Sequence, residues 1–359
     1  MLVILFILGI FLLLGGGELL VRGASHLAAS LGITPLIVGL TVVAFSTSAP
    51  ELAVTIQSAY ADKADIAFGN IVGSSITNIL FILGLSATLI PLVVSQKLLW
   101  ADVPLMIGIN GLLYMLALDG QISRVDGLLL VGGIIAYIVF AIRQSRQPEA
   151  NVQKEYAQEY GIEPAKAKQQ WGLSLLFVGS GVLMLVLGAQ WLVDGAVAIA
   201  KALGLSELTI GLTIVAVGTS LPEIATSIIA SRRGESDIAV GNVVGSNIFN
   251  ILCVLGVTAV VAPDGVSVAR PALYFDLPVL LIASVACLPI FFIGHQINRW
   301  EGLLFLGYYV VYIVYLILNA TAHDALLLLN KAVVWFVIPL TTITMAIYFW
   351  RSWQKQRKS

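Results

Sequence analysis

Three kinds of side chain are scarce in this chain, and each scarcity closes off a class of chemistry. Of 359 residues only two are cysteine, Cys253 and Cys287, and both fall inside apolar runs. That excludes a disulfide framework or a thiolate metal site and makes core packing the expected role of both. The three histidines, His26, His295 and His323, stand far apart, so neither an imidazole cluster nor an HExxH helix is available for zinc chemistry. With no His or Lys base set beside a candidate nucleophilic serine, a membrane-embedded hydrolase is disfavoured too. Charge is the third scarcity: Asp, Glu, Lys and Arg make up 11% of the chain, the net charge is −1, and no basic run is long enough to attract nucleic acid.

Apolar residues fill the space left by charge. Hydrophobic side chains make up 59% of the sequence and the mean hydropathy is +0.97, against roughly 45–50% apolar residues in ordinary soluble domains. Stretches long enough to cross a hydrocarbon core of about 30 Å as helices recur throughout. They lie near 2–22, 33–60, 66–92, 99–118, 124–142, 173–203, 206–231, 236–262, 271–294, 299–319 and 331–350. No cation precedes the first segment, and it runs into Gly15, Gly16 and Gly17 rather than a cleavage-like site. It therefore reads as a retained helix.

Cations set the expected orientation. With the N-terminus outside, one side collects Arg22, Lys97, Arg143, Arg146, Lys154, Lys166, Lys168, Arg232, Arg233, Arg299, Arg351, Lys355, Arg357 and Lys358. The other keeps Lys63, Arg124, Lys201, Arg270 and Lys331. The positive-inside rule then predicts N-out and C-in, in a cell inner (plasma) membrane, with the mixed-charge linker 143–172 cytoplasmic.

Sliding the sequence against itself by 172 residues exposes a duplication. Residues 39–80 run from GLTVVAFSTSAPE to GNIVGSSITNIL and residues 211–252 from GLTIVAVGTSLPE to GNVVGSNIFNIL, with 23 of 42 positions identical and no gap. The match continues outward: Gly16, Leu20 and Gly23 align with Gly188, Leu192 and Gly195, D-V-P (102–104) answers D-L-P (276–278), and R-V-D-G-L-L (124–129) answers R-W-E-G-L-L (299–304). Five helices per half is an odd number, so the second half must enter the membrane upside down. The expected fold is an all-α polytopic membrane protein of two inverted five-helix repeats, 1–142 and 173–320, ten core helices in all. Residues 321–359 add one appended C-terminal helix and a basic tail.

The polar residues inside these segments are themselves repeated. Thr47, Ser48 and Glu51 share one helical face, as do Thr219, Ser220 and Glu223; Ser74 with Asn78, and Ser246 with Asn250, stand four apart on the next helix of each half. Every one offers oxygen, which suits hard cations such as Ca²⁺, Na⁺ or Mg²⁺ and not zinc or copper. A lone carboxylate at mid-bilayer costs at least ~2.5–3.5 kcal/mol, so such a residue reads as functional. Two carboxylates match the charge of one divalent ion. Pro50 and Pro222 cannot donate to the carbonyls of Ser46 and Gly218, and such freed oxygens coordinate cations in discontinuous transporter helices. Gly69 with Gly73, and Gly241 with Gly245, are expected to let each helix pack closely on the broken helix of its own half. Glu18, Asp102, Asp194 and Asp276 read instead as structural pairs or mouth charges. Gly15 to Gly17 fit either a sliding surface or simple close packing.

With S-T-S-A-P-E (46–51), G-T-S-L-P-E (218–223) and two copies of G-N-x-V-G-S-x-I-x-N (69–78 and 241–250), the chain resembles the cation/calcium antiporter superfamily, in its prokaryotic sodium/calcium exchanger-like branch. The resemblance spans about 2–320. It implies that Glu51 and Glu223, with the backbone oxygens of Thr47 and Thr219, hold Ca²⁺. It likewise implies Na⁺ sites from Ser48, Ser74, Ser220, Ser246 and the carbonyls of Ala44 and Ala216, with Asn78 and Asn250 lining the centre. Ser46 stands where that pattern has Gly, and Ala49 where it has Leu. Asn250 stands where potassium-dependent relatives carry Asp, which argues against K⁺ dependence and leaves one charge fewer. The activity implied is Na⁺/Ca²⁺ antiport by alternating access, with helices 2–22 and 173–203 moving against the rest. A proton/cation exchanger using the same glutamates stays open, because burial can raise a carboxylate pKa toward neutrality. The ions are cargo, so no cofactor is implied; the bilayer is the surrounding partner, and no protein partner is required.

Overall fold

The structure is a computed structural model that describes residues 2–31, 33–60, 64–144, 171–202, 216–292, 294–321 and 325–326. It is helical throughout, apart from four two-residue strands. The first half comprises α1 (Leu2–Leu31), α2 (Leu36–Thr47), α3 (Ala49–Tyr60), α4 (Ala67–Leu89), α5 (Leu98–Asp119) and α6 (Arg124–Gln144). The second comprises α7 (Trp171–Ala202), α8 (Ala216–Gly218), α9 (Leu221–Arg232), α10 (Ser236–Val261), α11 (Ala272–Phe292) and α12 (Arg299–Ala320). Among the described residues, eight helices are long and apolar enough to cross a membrane, or nine if the bent pair α2 and α3 is one span. The segment expected at 206–231 lies partly outside the described residues, and that at 331–350 wholly so.

Burial ranks the helices. Within their spans, α4 is 78% buried and α10 83%, against 28–39% for the other straight spans described. The two copies of the G-N-x-V-G-S motif therefore form the centre of the bundle, and the remaining helices present apolar side chains such as Phe11, Leu128, Leu176 and Ile282 outward, as a lipid-facing surface requires. At 30 residues α1 overruns the expected segment 2–22, whereas α7, at 32 residues, matches the expected 173–203 closely; at about 1.5 Å per residue each exceeds the ~30 Å hydrocarbon core.

The packing of α1 on α7 follows a glycine seam. A Cβ on Gly9 would lie 2.8 Å from the carbonyl of Gly188, and one on Gly16 the same distance from that of Gly181. Contacts that descend on one helix as they ascend on the other mean that the two run antiparallel. Gly9, Gly16 and Gly23 recur every seven residues, as do Gly181, Gly188 and Gly195, so one face of each helix carries no side chain where they cross. A Cβ on Gly15 would meet only the end of the Met184 side chain, and one on Gly17 would meet the end of Ile229 and, at 3.4 Å, the Ala225 carbonyl. Close packing is thus the role of Gly16 within that run.

Two small ladders join the halves at opposite ends of α5. Leu92 and Val93 (β1) pair antiparallel with Ile297 and Gln296 (β4), and Gln121 and Ile122 (β2) pair with Ser267 and Val266 (β3). Each ladder gains one flanking bond, Val94 N–H to the His295 carbonyl and Val268 N–H to the Gly120 carbonyl, both 2.8 Å. Between them α5 packs on α11, where Asn110 donates to Ser284 Oγ at 2.6 Å. Tyr137 donates to Asp102 and Tyr312 to Asp276, which gives both aspartates the structural partner the sequence suggested. Glu18 pairs with Arg233, in the turn between α9 and α10.

Candidate functional site

The site is built around two helix breaks. In the first half the break falls at Ser48, between α2 and α3, with φ −81° and ψ 3°; the two helices meet at 42°. In the second it falls at Ser220, with φ −87° and ψ 6°. Both lie in the sparsely populated bridge region favoured by turn ends and active-site residues. Pro50 and Pro222 sit one step further on, in the first turns of α3 and α9, where the missing N–H is tolerated. The serines, rather than the prolines, therefore carry the bend. The expected segment 33–60 is a bent pair of helices, α2 and α3, as a discontinuous segment would be.

Glu51 and Glu223 follow in those same first turns, where the unpaired N–H groups and positive end of a helix favour a carboxylate. Each is 1% exposed. The halves interlock around them: α3, bearing Glu51, packs on the stretch Asn250–Leu255 of α10, and α9, bearing Glu223, packs on Thr77–Leu83 of α4. Both stretches are π-helical, a wider winding that often marks functional sites. They begin beside Asn78 and Asn250. The helices α4 and α10 also touch each other, so the four polar elements form one cluster.

The glycine pairs required a correction. Gly241 and Gly245 do bring α10 against a broken helix, but it is that of the other half. Cβ atoms there would meet the Leu36 carbonyl at 3.1 Å and the Leu40 carbonyl at 2.7 Å. Among the described residues nothing lies within 4 Å of a Cβ on Gly69 or Gly73; the segment equivalent to α2, 211–215, is outside them.

The side chains expected to bind ions are buried yet lack partners. Thr47, Ser48, Ser74, Asn78, Ser220, Ser246 and Asn250 are at most 3% exposed, and Thr219 is half-buried. Among the described residues, no hydrogen-bond partner exists for either carboxylate oxygen of Glu51, Oε2 of Glu223, Oγ of Ser74, Ser220 and Ser246, Oδ1 of Asn78, or either end of the Asn250 amide. Each such orphan costs about 1–3 kcal/mol, and more for a charged group. Oxygens gathered this way suit a hard cation. No cluster of three or more His, Cys, Asp or Glu is present among the described residues, which keeps softer metals out.

Other expected ligands are already engaged. Ser48 donates to Glu223 Oε1 at 3.5 Å, a direct side-chain bond between the two sets of residues expected from the sequence. The Ala44 carbonyl accepts both the Ser48 N–H at 3.0 Å and the Thr47 hydroxyl at 3.3 Å. Ala216 opens α8. Thr47 donates to Asn242 Oδ1 at 3.2 Å and Thr219 to Asn70 Oδ1 at 3.5 Å. Asn70 and Asn242 were overlooked although each stands four residues before Ser74 or Ser246, on the same Ser–Asn face. Their retention in both copies was the available signal.

Comparison with known proteins gives this geometry a context. The model of the family described as sodium/calcium exchanger protein matches residues 1–143 and 173–318. The putative antiporter CaxA of Alkalimonas amylolytica is 38% identical over 85% of this chain and 95% of its own. The sodium/calcium exchanger MaX1 of Methanosarcina acetivorans is 31% identical over 87% and 97%. Among solved structures, the sodium-calcium exchanger NCX_Mj superposes with a TM-score of 0.75 at 30% identity, over 87% of this chain and 98% of that one. With the family model matched over most of its length and these relatives covered nearly end to end, the chain belongs to the sodium/calcium exchanger family of multi-pass membrane proteins.

Proposed function

We propose that this chain is a secondary antiporter in which Na⁺ moving down its gradient drives Ca²⁺ the other way. The observation that carries the reading is the set of unpartnered buried oxygens, two carboxylates among them, one from each half. Glu51 and Glu223 together bring two negative charges, and a single Ca²⁺ balances both. Thr47 and Thr219 would add backbone oxygens to that ion. The serines Ser48, Ser74, Ser220 and Ser246, the carbonyls of Ala44 and Ala216, and Asn78 and Asn250 would serve Na⁺. Loads drawing on shared oxygens exclude one another, which is what obligatory exchange needs.

The two halves are read as inverted repeats, with the N-terminus outside and the C-terminus cytoplasmic in the plasma membrane. Alternating access is assigned to α1 and α7, whose glycine seam keeps them together while they shift past the interlocked centre. The test is ⁴⁵Ca²⁺ uptake into proteoliposomes under an imposed Na⁺ gradient. Wild type should accumulate Ca²⁺, and Glu51→Gln and Glu223→Gln should each lose most of it. Robust uptake in both variants would refute the site. Uptake driven by a pH gradient and indifferent to Na⁺ would reassign the coupling ion to H⁺.

A further inference from the structure

We infer that Asn70 and Asn242 are positioning residues for ion exchange, each an amide clamp by which one half of the chain fixes the threonine beside the other half's helix break. The two clamps are built from sequence-equivalent residues. Thr47 on α2 donates to Asn242 Oδ1 at 3.2 Å, sharing its one proton with the Ala44 carbonyl of its own helix at 3.3 Å, and Asn242 Nδ2 donates to Ser227 Oγ at 2.9 Å. Thr219 donates to Asn70 Oδ1 at 3.5 Å, and Asn70 Nδ2 donates to Thr55 Oγ1 at 3.1 Å. A shift of 172 residues carries Thr47, Asn70 and Thr55 onto Thr219, Asn242 and Ser227.

An asparagine suits this place because its amide both accepts and donates. Its N–H₂ holds to the hydroxyl of its own half, and that bond fixes which end faces the opposite threonine. Ser227 and Asn242 are fully buried, so water does not compete at that anchor; in the other clamp Thr55 is fully buried and Asn70 half-buried. The threonine hydroxyl is consumed as a donor, which leaves the backbone carbonyl as the oxygen that Thr47 or Thr219 can turn toward an ion. Each threonine immediately precedes its break serine, Ser48 or Ser220, and stands one turn before its glutamate. Fixing the threonine therefore fixes the register of three oxygen-bearing residues. Since each clamp crosses between halves, the two sides of the site are held to one another rather than each to itself.

The inference rests on the exchange reading and is tested by a double-mutant cycle in the same transport assay. Thr47→Val removes the hydroxyl but keeps the carbonyl and the shape, and Asn242→Leu removes the amide at nearly constant volume. Loss of one such hydrogen bond is worth a factor of about 3–10, so each variant should raise the Ca²⁺ concentration for half-maximal uptake by that factor, with little change in maximal rate. The double variant should be no worse than the worse single. Ca²⁺-induced stabilisation, measured for each variant against its own Ca²⁺-free melting midpoint, should shrink in all three. Additive effects, or a lower maximal rate at unchanged half-saturation, would overturn the clamp while leaving the exchange reading intact. A wild type that takes up no Ca²⁺ would overturn that reading, and the positioning role with it.

Discussion

Substituting Gly16 by alanine probes how tightly α1 and α7 are bound. The added Cβ would stand 2.8 Å from the Gly181 carbonyl oxygen, 2.9 Å from the Leu185 nitrogen and 2.9 Å from Met184 Cβ. Two of these are backbone atoms of a helix that cannot rotate out of the way, and ordinary carbon contacts begin near 3.5 Å. The helices must separate by roughly 0.6 Å at the crossing, the shortfall against that contact distance. Inserting a methyl into a packed interface costs about 1–3 kcal/mol. Because Gly9, Gly181 and Gly188 share the seam, the gap would also weaken their backbone contacts. The assay is thermal unfolding in detergent, with Gly15→Ala and Gly179→Ala as comparisons. A Cβ on Gly15 meets only the mobile end of Met184, and one on Gly179 meets nothing within 4 Å. Those two should unfold at or slightly above the wild-type midpoint, since alanine favours the helix. Gly16→Ala should unfold several degrees lower. Equal midpoints for all three would show that the seam is loose and that the backbone contact does not bind these helices.

Gly245→Ala should abolish most Ca²⁺ uptake, because its Cβ would fall 2.7 Å from the Leu40 carbonyl and 2.8 Å from Ala44 Cβ, levering α2 away from the centre; initial uptake rates in proteoliposomes check this. Asn110→Leu leaves Ser284 without its donor and should lower the melting midpoint by an amount equivalent to about 1 kcal/mol, with Ser284→Ala on the same background adding little. Glu235, in the turn between α9 and α10, has its pKa pushed up to about 7 by burial, against partial relief from the Ser25 hydroxyl and the Arg233 charge. A carboxyl that binds its proton more tightly folded than unfolded stabilises fully below its unfolded value near 4.5 and stops doing so as pH rises through about 7. Melting midpoints measured from pH 4.5 to 8 should therefore fall more steeply in wild type than in Glu235→Gln, and parallel curves would refute the assignment.

The oxygen-bearing residues were legible because the duplication marked them: residues kept at identical spacing in both copies separate from the hydroxyls that merely cap neighbouring turns. What a self-comparison reveals is equivalence, however, and equivalence is not contact. Nothing in the two copies said that Gly245 would meet Leu40 rather than its own half, or that Asn242 would hold Thr47. Those pairings arise from how two halves interlock. The location of the bend was not legible for a local reason, since proline removes a donor yet fits a first helical turn, and the bridge-region angles at Ser48 and Ser220 have no sequence signature. The π-helical stretches escaped likewise, because a reading in steps of four assumes uniform winding. The extent of α1 was underestimated where small and polar residues such as Ser25 and Ser30 ended the apolar run without ending the helix.

The two short ladders carry a consequence for how such a chain is assembled. β1 and β2 belong to the first half, and among the described residues each finds its strand partner in the second. A polypeptide ending after α6 would present two unpaired backbone edges, one at each end of α5, and a polypeptide beginning at α7 would present the complementary two. Severing the chain between residues 144 and 171 should therefore yield fragments that are degraded when produced singly and accumulate when produced together. Neither fragment would be a domain in the ordinary sense. Each is half of a closed set of hydrogen bonds, and the covalent joint between them serves to guarantee equal numbers of the two.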